Sequence, residues 1–401
     1  MSDLPENSGL STRAVHAGES VDPATGAAAV PIYQTAPFGF SSAQALEDAF
    51  LRPKEGEYIY SRMGNPTVRA LEEKVAALED ADDAVAAASG MAAISTTMFT
   101  LLQPGSRLVA YRDLYGGTSG FFTRMLEPWG VEVIWVDMGA EAGDGAELKD
   151  ALGEGAAVLY LETPTNPTLK VVDLEAAARL GHTAGATVVV DSTFATPILQ
   201  NPLELGVDLI VHSLTKYLGG HGDTTGGLVV GSAGTIKEIR TRLIDMGGIM
   251  DPLAAFLIMR GVKTVKVRVM QTAENALVIA RHLEKHPGIR RVNYPGLESS
   301  PYFEVASRQM KAGGGMLSFE VDAGLEEVRK VVDAFRMIPI LPSLGSVETT
   351  LLLPAVSSHY KLSSEEREDM GIPDGLIRLS VGIEEVDDIV GDLDYGLSLL
   401  D

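Results

Sequence analysis

Between residues 84 and 231 the sequence repeats one pattern, in which a short apolar run of strand length is usually followed by a stretch with helical spacing. The apolar runs span residues 84–88, 107–111, 131–136, 156–162, 187–191, 209–213 and 227–231. Strands that are apolar on both faces and alternate with helices form a mostly parallel sheet that helices cover on both sides. The sequence therefore predicts an α/β fold with a doubly wound, mostly parallel sheet, whose ligand crevice lies at the carboxyl ends of the strands.

The pattern changes near residue 250, and this change divides the chain. Residues 253–286 are helical with few breaks, and a smaller α+β domain is indicated by a strand at 315–321, a helix at 325–337, a strand at 376–381 and a helix at 386–400. Residues 1–60 show little periodicity and contain several turn signals. We therefore predict an N-terminal arm (1–60) that contacts a neighbouring subunit, a cofactor-binding α/β domain (61–252) and a C-terminal α+β domain (253–401).

Charge and composition exclude several classes of protein. The 401 residues include 55 acidic and 32 basic ones, a formal charge of -23, so no nucleic-acid partner is expected, because clustered basic side chains hold phosphate backbones. The chain has no Cys, which excludes disulfides and thiolate metal sites, and no metal site is predicted. No apolar run approaches the ~20 residues that span a bilayer, and residues 1–13 lack a signal-peptide pattern, so we expect a soluble, cytoplasmic protein without a membrane partner.

Four polar clusters follow predicted strands, and each has an ordinary explanation when taken alone. Asp191 ends one strand, where an acid often caps the next helix. Lys216 follows another strand, among hydroxyl groups and glycines, where a lysine is usually solvated. The turn at Ser89-Gly90-Met91 offers helix N–H groups that attract phosphate, although most such turns bind nothing. Asn166 lies between two prolines after a fourth strand, a pattern that is also typical of a plain turn.

Taken together, the clusters favour one cofactor. Pyridoxal 5'-phosphate (PLP) needs a lysine that forms an imine, a cup for its phosphate and an acid that keeps its pyridine nitrogen protonated. Lys216, the turn at 89–91 and Asp191 supply these groups within one α/β domain. A nucleotide-binding protein is the alternative, but no G-x-G-x-x-G or Walker motif follows a strand here.

A series of motifs, in order along nearly the whole chain, resembles the Cys/Met-metabolism family of PLP enzymes. The motifs are YSRMGNPT (60–67), SGM (89–91), DLYGGT (113–118), ETPTNP (162–167), DSTFATP (191–197), SLTKY (213–217) and IRLSVG (377–382). That family includes methionine gamma-lyase, cystathionine gamma-lyase, cystathionine gamma-synthase and the O-acylhomoserine sulfhydrylases. The resemblance implies the fold type I of PLP-dependent enzymes, a small sulfur amino acid as substrate and a homo-oligomer, usually a tetramer built as a dimer of dimers.

The resemblance implies a role for each matched residue around the cofactor ring. Lys216 would bind the cofactor covalently and would carry protons once the substrate displaces it. Asp191 would pair with the pyridine nitrogen, and Tyr115 would stack on the ring and act as an acid or base near the leaving group. Asn166 would contact the cofactor's phenolic oxygen and the substrate.

The same resemblance assigns the residues that would hold the two anionic groups. Arg378 would bind the substrate carboxylate as a bidentate pair, Ser343 would help to position it, and Tyr60 would also bind the substrate. The cofactor phosphate would be held by Gly90, Met91, Ser213 and Thr215, joined by Tyr60 and Arg62 of the neighbouring subunit. A dimer would then be required for activity.

The positions that distinguish substrates within the family do not all favour the same substrate. Ile59, Ser119-Gly120 and Pro342 stand where cystathionine enzymes often have polar or charged side chains, which favours a small apolar thioether such as methionine. Gly117, however, stands where many methionine gamma-lyases have Cys. The leading hypothesis is a carbon–sulfur gamma-lyase for methionine or a related homocysteine-type amino acid. The alternatives are cystathionine gamma-lyase, gamma-replacement by a cystathionine gamma-synthase or O-acylhomoserine sulfhydrylase, an aminotransferase, and a non-catalytic protein of the same fold.

Replacing Arg62 tests the phosphate site that two subunits are expected to share. Arg62→Ala should weaken PLP binding by about tenfold or more, because a charge-assisted hydrogen bond to the phosphate is lost. Fluorescence titration of the cofactor-free protein with PLP measures the dissociation constant. An unchanged constant would rule out this role of Arg62.

Overall fold

The structure is a computed structural model that describes residues 4–5, 7–54, 56–138 and 145–400. The strands of its larger sheet are β1 (Asp83–Ala87), β2 (Arg107–Tyr111), β3 (Glu132–Val136), β4 (Val158–Glu162), β5 (Thr187–Asp191), β6 (Leu209–Ser213) and β7 (Gly227–Gly231). They lie in the order β1-β7-β6-β5-β4-β2-β3. Strand β7 is antiparallel to both of its neighbours, and the other strands share one direction. The prediction of a mostly parallel α/β sheet is therefore confirmed.

A smaller antiparallel sheet is formed by the C-terminal part of the chain. Its strands are β8 (Ile289–Asn293), β9 (Met316–Val321), β10 (Thr350–Leu352) and β11 (Leu376–Ser380), in the order β10-β11-β9-β8. Each pair of neighbouring strands in this sheet is antiparallel.

Helices connect and cover the strands of both sheets. They are α1 (Leu10–His16), α2 (Ala43–Leu51), α3 (Pro66–Leu78), α4 (Gly90–Leu101), α5 (Gly116–Phe121), α6 (Ala146–Leu152), α7 (Leu174–Thr183), α8 (Thr196–Leu199), α9 (Ala233–Met246), α10 (Pro252–Val262), α11 (Val265–Leu283), α12 (Phe303–Gln309), α13 (Leu325–Ala334), α14 (Ser364–Asp369) and α15 (Val386–Leu397). A π-helical turn over Phe122–Leu126 continues α5.

Several elements differ from the sequence prediction. The helix expected over 253–286 is two helices, α10 and α11, which are separated at Lys263 and Thr264. Strands β8 and β10 were not predicted. The arm contains α1 and α2, although its sequence shows little periodicity.

The first helix of the arm packs on its own chain. The buried Lys74 amine on α3 donates a hydrogen bond to the carbonyl of Ala14 at 3.0 Å and forms an ion pair with Glu19 at 3.0 Å. A buried ammonium group requires such partners, so they fix α1 against α3. The contact of the arm with another subunit and the domain boundaries at residues 60 and 252 stay predictions.

Each sheet has its own hydrophobic core. In the larger sheet the central strands are buried on both faces, as the full burial of Val188, Val189 and Val190 on β5 shows. In the second core, Phe319 on β9 packs with side chains of α13 and α15 such as Val331.

Within the ranges that the structure describes, no helix is long and apolar enough to cross a membrane. In the same ranges, no three His, Asp or Glu side chains are grouped as metal ligands would be.

A close backbone contact at Gly227 gives a prediction about stability. A Cβ atom added there would lie 2.1 Å from the carbonyl oxygen of Ser89 and 2.8 Å from the nitrogen of Gly90. Gly227→Ala should therefore destabilise the fold by about 1–3 kcal/mol, because the backbone must shift to accept the methyl group. Thermal unfolding measures this change.

Gly391 on α15 is the matched control for this substitution. A Cβ atom there would meet no atom within 4 Å. Gly391→Ala should stabilise the protein by about 0.5–1 kcal/mol through the higher helix propensity of Ala. Equal melting temperatures of the two variants would contradict the tight packing of Gly227.

Candidate active site

The carboxyl ends of β4, β5 and β6 lie side by side, and each of these strands ends in a polar residue. Glu162 is the register partner of Asp191, and Asp191 lies opposite Val211, two residues before Ser213. Residues in register, and residues two apart along a strand, share one face of a sheet, so the three polar side chains point to the same side.

A cavity of about 260 Å³ opens at this edge, between the larger sheet and residues 342–344 and 378. The residues predicted for the site that line it are Gly90, Met91, Tyr115, Asn166, Asp191, Ser213, Thr215, Lys216, Ser343 and Arg378. The four clusters recognised after separate strands therefore meet in one place.

Lys216 lies in the turn that follows β6. Its Nζ donates a hydrogen bond to Oγ of Ser343 at 3.1 Å. Burial, together with the positive charge of Arg378, lowers the pKa of the Lys216 amine. A lower pKa leaves more of the amine uncharged near neutral pH, and the uncharged amine is the nucleophile that attacks an aldehyde.

Asp191 is a buried carboxyl group at the floor of the cavity. One of its oxygens accepts a hydrogen bond from the N–H of Thr193 at 3.0 Å. Burial raises the pKa of Asp191, although hydrogen bonds from Thr193 oppose this effect. A cation placed against this carboxylate would offset its lost hydration, as the protonated nitrogen of a pyridine ring would do.

The start of α4 and the turn after β6 form a cup at one end of the cavity. Ser89 caps α4, since its Oγ accepts the N–H of Ala92 at 3.1 Å. The first N–H groups of a helix lack partners within the helix and attract anions, so the N-terminus of α4 offers donors at Gly90 and Met91. A Cβ atom at Gly90 would lie 3.1 Å from Cβ of Ser213, so glycine permits the close approach of the two segments.

Arg378 on β11 reaches the cavity from the smaller sheet. Its guanidinium donates to Oδ1 of Asn166 at 3.0 Å and to the carbonyl of Ser343 at 2.9 Å. Its Nε is buried and has no hydrogen-bond partner among the described residues. Burial lowers the pKa of Arg378 to about 10. A carboxylate bound here would supply both the missing acceptor and the missing negative charge.

Tyr60 and Arg62 do not line this cavity. The Tyr60 side chain is exposed, and Arg62 lies at a separate cleft, where its guanidinium donates to the carbonyl of Ile244 at 3.1 Å. This location leaves both side chains outside their own chain's site, and their action across a dimer stays a prediction.

Sequence reasoning gave no role to several residues that line the cavity. The principal one is Glu162, which belongs to a recognised motif and ends β4 next to Asp191. An acid at the end of an apolar strand was the available signal. Ile94, Phe194 and Leu344 form apolar walls. Nothing in their sequence context separates them from core residues, because one apolar residue near a strand end looks like another.

The comparisons with known proteins agree with this geometry. The family model described as "Cys/Met metabolism PLP-dependent enzyme" matches residues 11–398. An L-methionine gamma-lyase of Fusobacterium nucleatum subsp. nucleatum is 46% identical over 395 residues, which cover 98% of this chain and 98% of that protein. A cystathionine gamma-lyase of Dictyostelium discoideum is 40% identical, again over 98% of both chains.

A solved structure is also similar over the whole fold. A cystathionine gamma synthase of Xanthomonas oryzae pv. oryzae superposes with a TM-score of 0.92 at 37% identity and covers 99% of each chain. The fold type I architecture expected from the sequence motifs is therefore confirmed.

The charge of Arg378 should set the reactivity of Lys216. Arg378→Met removes a positive charge that disfavours the protonated amine, so the pKa of Lys216 should rise and its labelling should need a higher pH. The measurement is the pH dependence of Lys216 trinitrophenylation in the cofactor-free protein, read by peptide mass spectrometry.

Arg378→Lys is the control, because it keeps the charge and should leave the labelling profile near that of the unmodified protein. If the Met and Lys variants gave the same profile, the electrostatic coupling of the two residues would be refuted.

Proposed function

The chain belongs to the Cys/Met metabolism family of PLP-dependent enzymes, and we propose that it is a carbon–sulfur gamma-lyase for L-methionine or a related homocysteine-type amino acid. Its products are 2-oxobutanoate, ammonia and a thiol. The observation that carries this proposal is the lining of the cavity, where Arg378 can bind a carboxylate while Ile94, Phe194 and Leu344 form the walls. An apolar wall favours a thioether over a substrate with a second charged end.

The residues around the cavity fit PLP. Lys216 would hold the cofactor covalently, Asp191 would pair with the ring nitrogen, and Tyr115 would lie against the ring. The cup formed by Gly90, Met91, Ser213 and Thr215 would hold the phosphate, and Asn166 would contact the phenolic oxygen. The raised pKa of the buried Asp191 and the lowered pKa of Lys216 support this assignment. When bound, PLP withdraws electrons from the α-carbon of an amino acid and makes its proton acidic.

Each step of the reaction then has a residue suited to it. Arg378 orients the substrate through its carboxylate, and its unpartnered Nε supplies a further donor. The Lys216 amine accepts the α-proton and then removes a proton from the β-carbon, which lets the sulfur on the γ-carbon leave. The Ser343 hydroxyl, 3.1 Å away, orients this amine. The Tyr115 phenol donates a proton to the departing sulfur. The apolar walls limit water, which strengthens these electrostatic interactions.

Cystathionine gamma-lyase and gamma-replacement remain the alternatives. The same residues would serve either reaction. In the cystathionine gamma-lyase reaction a second amino acid leaves the substrate, whereas in gamma-replacement a thiol adds to it. The similarity to a cystathionine gamma synthase structure is the observation that keeps replacement in view.

Assembly completes the proposal. A homo-oligomer, arranged as a tetramer of two dimers, would bring Tyr60 and Arg62 of the neighbouring subunit to the phosphate cup. The exposure of the Tyr60 side chain, which lies outside its own cavity, supports such an arrangement. We also propose that the enzyme acts in the cytoplasm.

Release of 2-oxo acid tests the proposed function. The PLP-loaded protein is given methionine, cystathionine or O-acetylhomoserine without added thiol, and both 2-oxo acid and ammonia are measured. We expect rapid release from methionine, because the apolar cavity accepts its methylthio group. Release from cystathionine alone would assign the alternative lyase, and a thioether formed only when thiol is added would assign a replacement enzyme. An oxo acid without ammonia would indicate transamination.

Lys216→Ala is the control for this assay. It should lower turnover by at least about 10²-fold while some PLP still binds without a covalent bond, because the group that moves protons is lost. Substantial turnover in this variant would contradict the role of Lys216.

A further inference from the structure

Glu162 is a buried carboxyl group inside the cavity that the proposed reaction does not use. It is the last residue of β4, lies in register with Asp191 and is 6% exposed. A carboxyl group of this kind is rarely left in a ligand cavity without a role, because its burial is unfavourable.

The two oxygens of Glu162 bind two different segments of the site. Oε2 accepts the backbone N–H of Tyr115 at 2.7 Å, and Oε1 accepts the backbone N–H of Asn166 at 3.3 Å. Tyr115 lies between β2 and α5, whereas Asn166 follows β4 itself. One carboxyl group at the end of β4 therefore links the segment that carries the Tyr115 phenol to the turn that carries Asn166.

The contacts continue from Asn166 to the smaller sheet. Its Oδ1 accepts a hydrogen bond from Arg378 at 3.0 Å, and Arg378 also donates to the carbonyl of Ser343. A displacement of Asn166 would therefore move the guanidinium on which substrate orientation depends.

We propose that Glu162 is a positioning residue, whose carboxyl group sets the place of Tyr115 directly and that of Arg378 through Asn166. This inference rests on the proposed function, in which Tyr115 and Arg378 act on an amino acid. The hydrogen bonds of Glu162 are to the backbone N–H groups of Tyr115 and Asn166, and not to the Tyr115 phenol or the Arg378 guanidinium. It therefore acts through the backbone groups that it holds.

The charge state of Glu162 suits this role. Burial and the nearby Asp191 carboxylate raise the pKa of Glu162 well above its usual range, although the two backbone hydrogen bonds oppose this. A neutral acid still accepts hydrogen bonds, and it leaves Asp191 as the negative group that faces the cofactor. Gln has the same charge and length as this neutral acid, but it offers one acceptor oxygen in place of two, so it can keep only one of the two backbone contacts.

Three substitutions of Glu162 separate the effect of side-chain length from the effect of the carboxyl charge. Glu162→Gln keeps the length and a carbonyl oxygen, Glu162→Asp keeps the carboxyl group but is one methylene shorter, and Glu162→Leu removes both acceptors. The readouts are the visible circular dichroism of bound PLP, which reports how the ring is held, and kcat with methionine. We expect Gln, which keeps one acceptor oxygen, to lower kcat by less than about tenfold and to change the dichroism less than Asp or Leu. Asp and Leu should change the dichroism and lower kcat by about 10- to 100-fold, because small misplacements have such effects.

Asp392 provides a matched control outside the site. It is also buried and accepts backbone N–H groups, those of Arg336 at 2.8 Å and Met337 at 2.9 Å, but it lies on α15 beside the smaller sheet. Asp392→Leu should lower the melting temperature and leave the PLP dichroism unchanged. If destabilisation alone changed the PLP dichroism, Asp392→Leu would change it as well. That result would overturn the proposal.

The remaining outcomes also decide the proposal. If the Leu variant does not fold, the order of Gln above Asp in dichroism and kcat supports positioning, and the reverse order overturns it in favour of a role for the charge. Dichroism that none of the three substitutions changes overturns it as well. If the unmodified protein does not act on methionine, the dichroism still tests Glu162, and the proposed function fails separately.

Discussion

The hydrogen-bonded register of three parallel strands is the constraint on which the site depends. It places the ends of β4, β5 and β6 next to one another, so that Glu162, Asp191 and Ser213 share one face. The turns that leave these strands carry Asn166 and Lys216 to the same edge. The groups at the strand ends therefore stand on rigid elements, whereas Tyr115 and Ser343 come from segments that connect elements.

The electrostatics of the cavity follow from burial. Three ionisable groups of the cavity have a pKa displaced toward the uncharged form: the pKa values of Lys216 and Arg378 are lowered, and that of Asp191 is raised. Such a site gains stability when a ligand brings the opposite charges. A ring cation beside Asp191 and a carboxylate beside Arg378 are the charges that a PLP enzyme of amino acids binds, so one arrangement explains both cofactor and substrate recognition.

Much of this arrangement could be predicted from the sequence, for reasons that particular residues make clear. Lys216, Asp191 and the turn at Gly90 follow apolar runs of strand length that alternate with helical stretches, and parallel strands bring their ends together. Strand β8 was not predicted because its sequence, IRRVN, contains two arginines and is not an apolar run. Strand β10 was not predicted because it has only three residues.

The contacts of Glu162 could not be predicted either, since they join its side chain to backbone groups that carry no sequence signal. Nor could the cavity walls, because the sequence does not distinguish the apolar faces of Phe194 and Leu344 from the core. The resemblance of the motifs to a known family supplied the roles, while the structure supplied the contacts between them.

Both the proposed reaction and the role of Glu162 require that this edge of the sheet binds PLP through Lys216. The most direct test is to load the protein with PLP, reduce it with borohydride and map the labelled peptide by mass spectrometry. We expect a pyridoxyl group on Lys216 at close to one per chain. A label on a different lysine, or none after full loading, would contradict it.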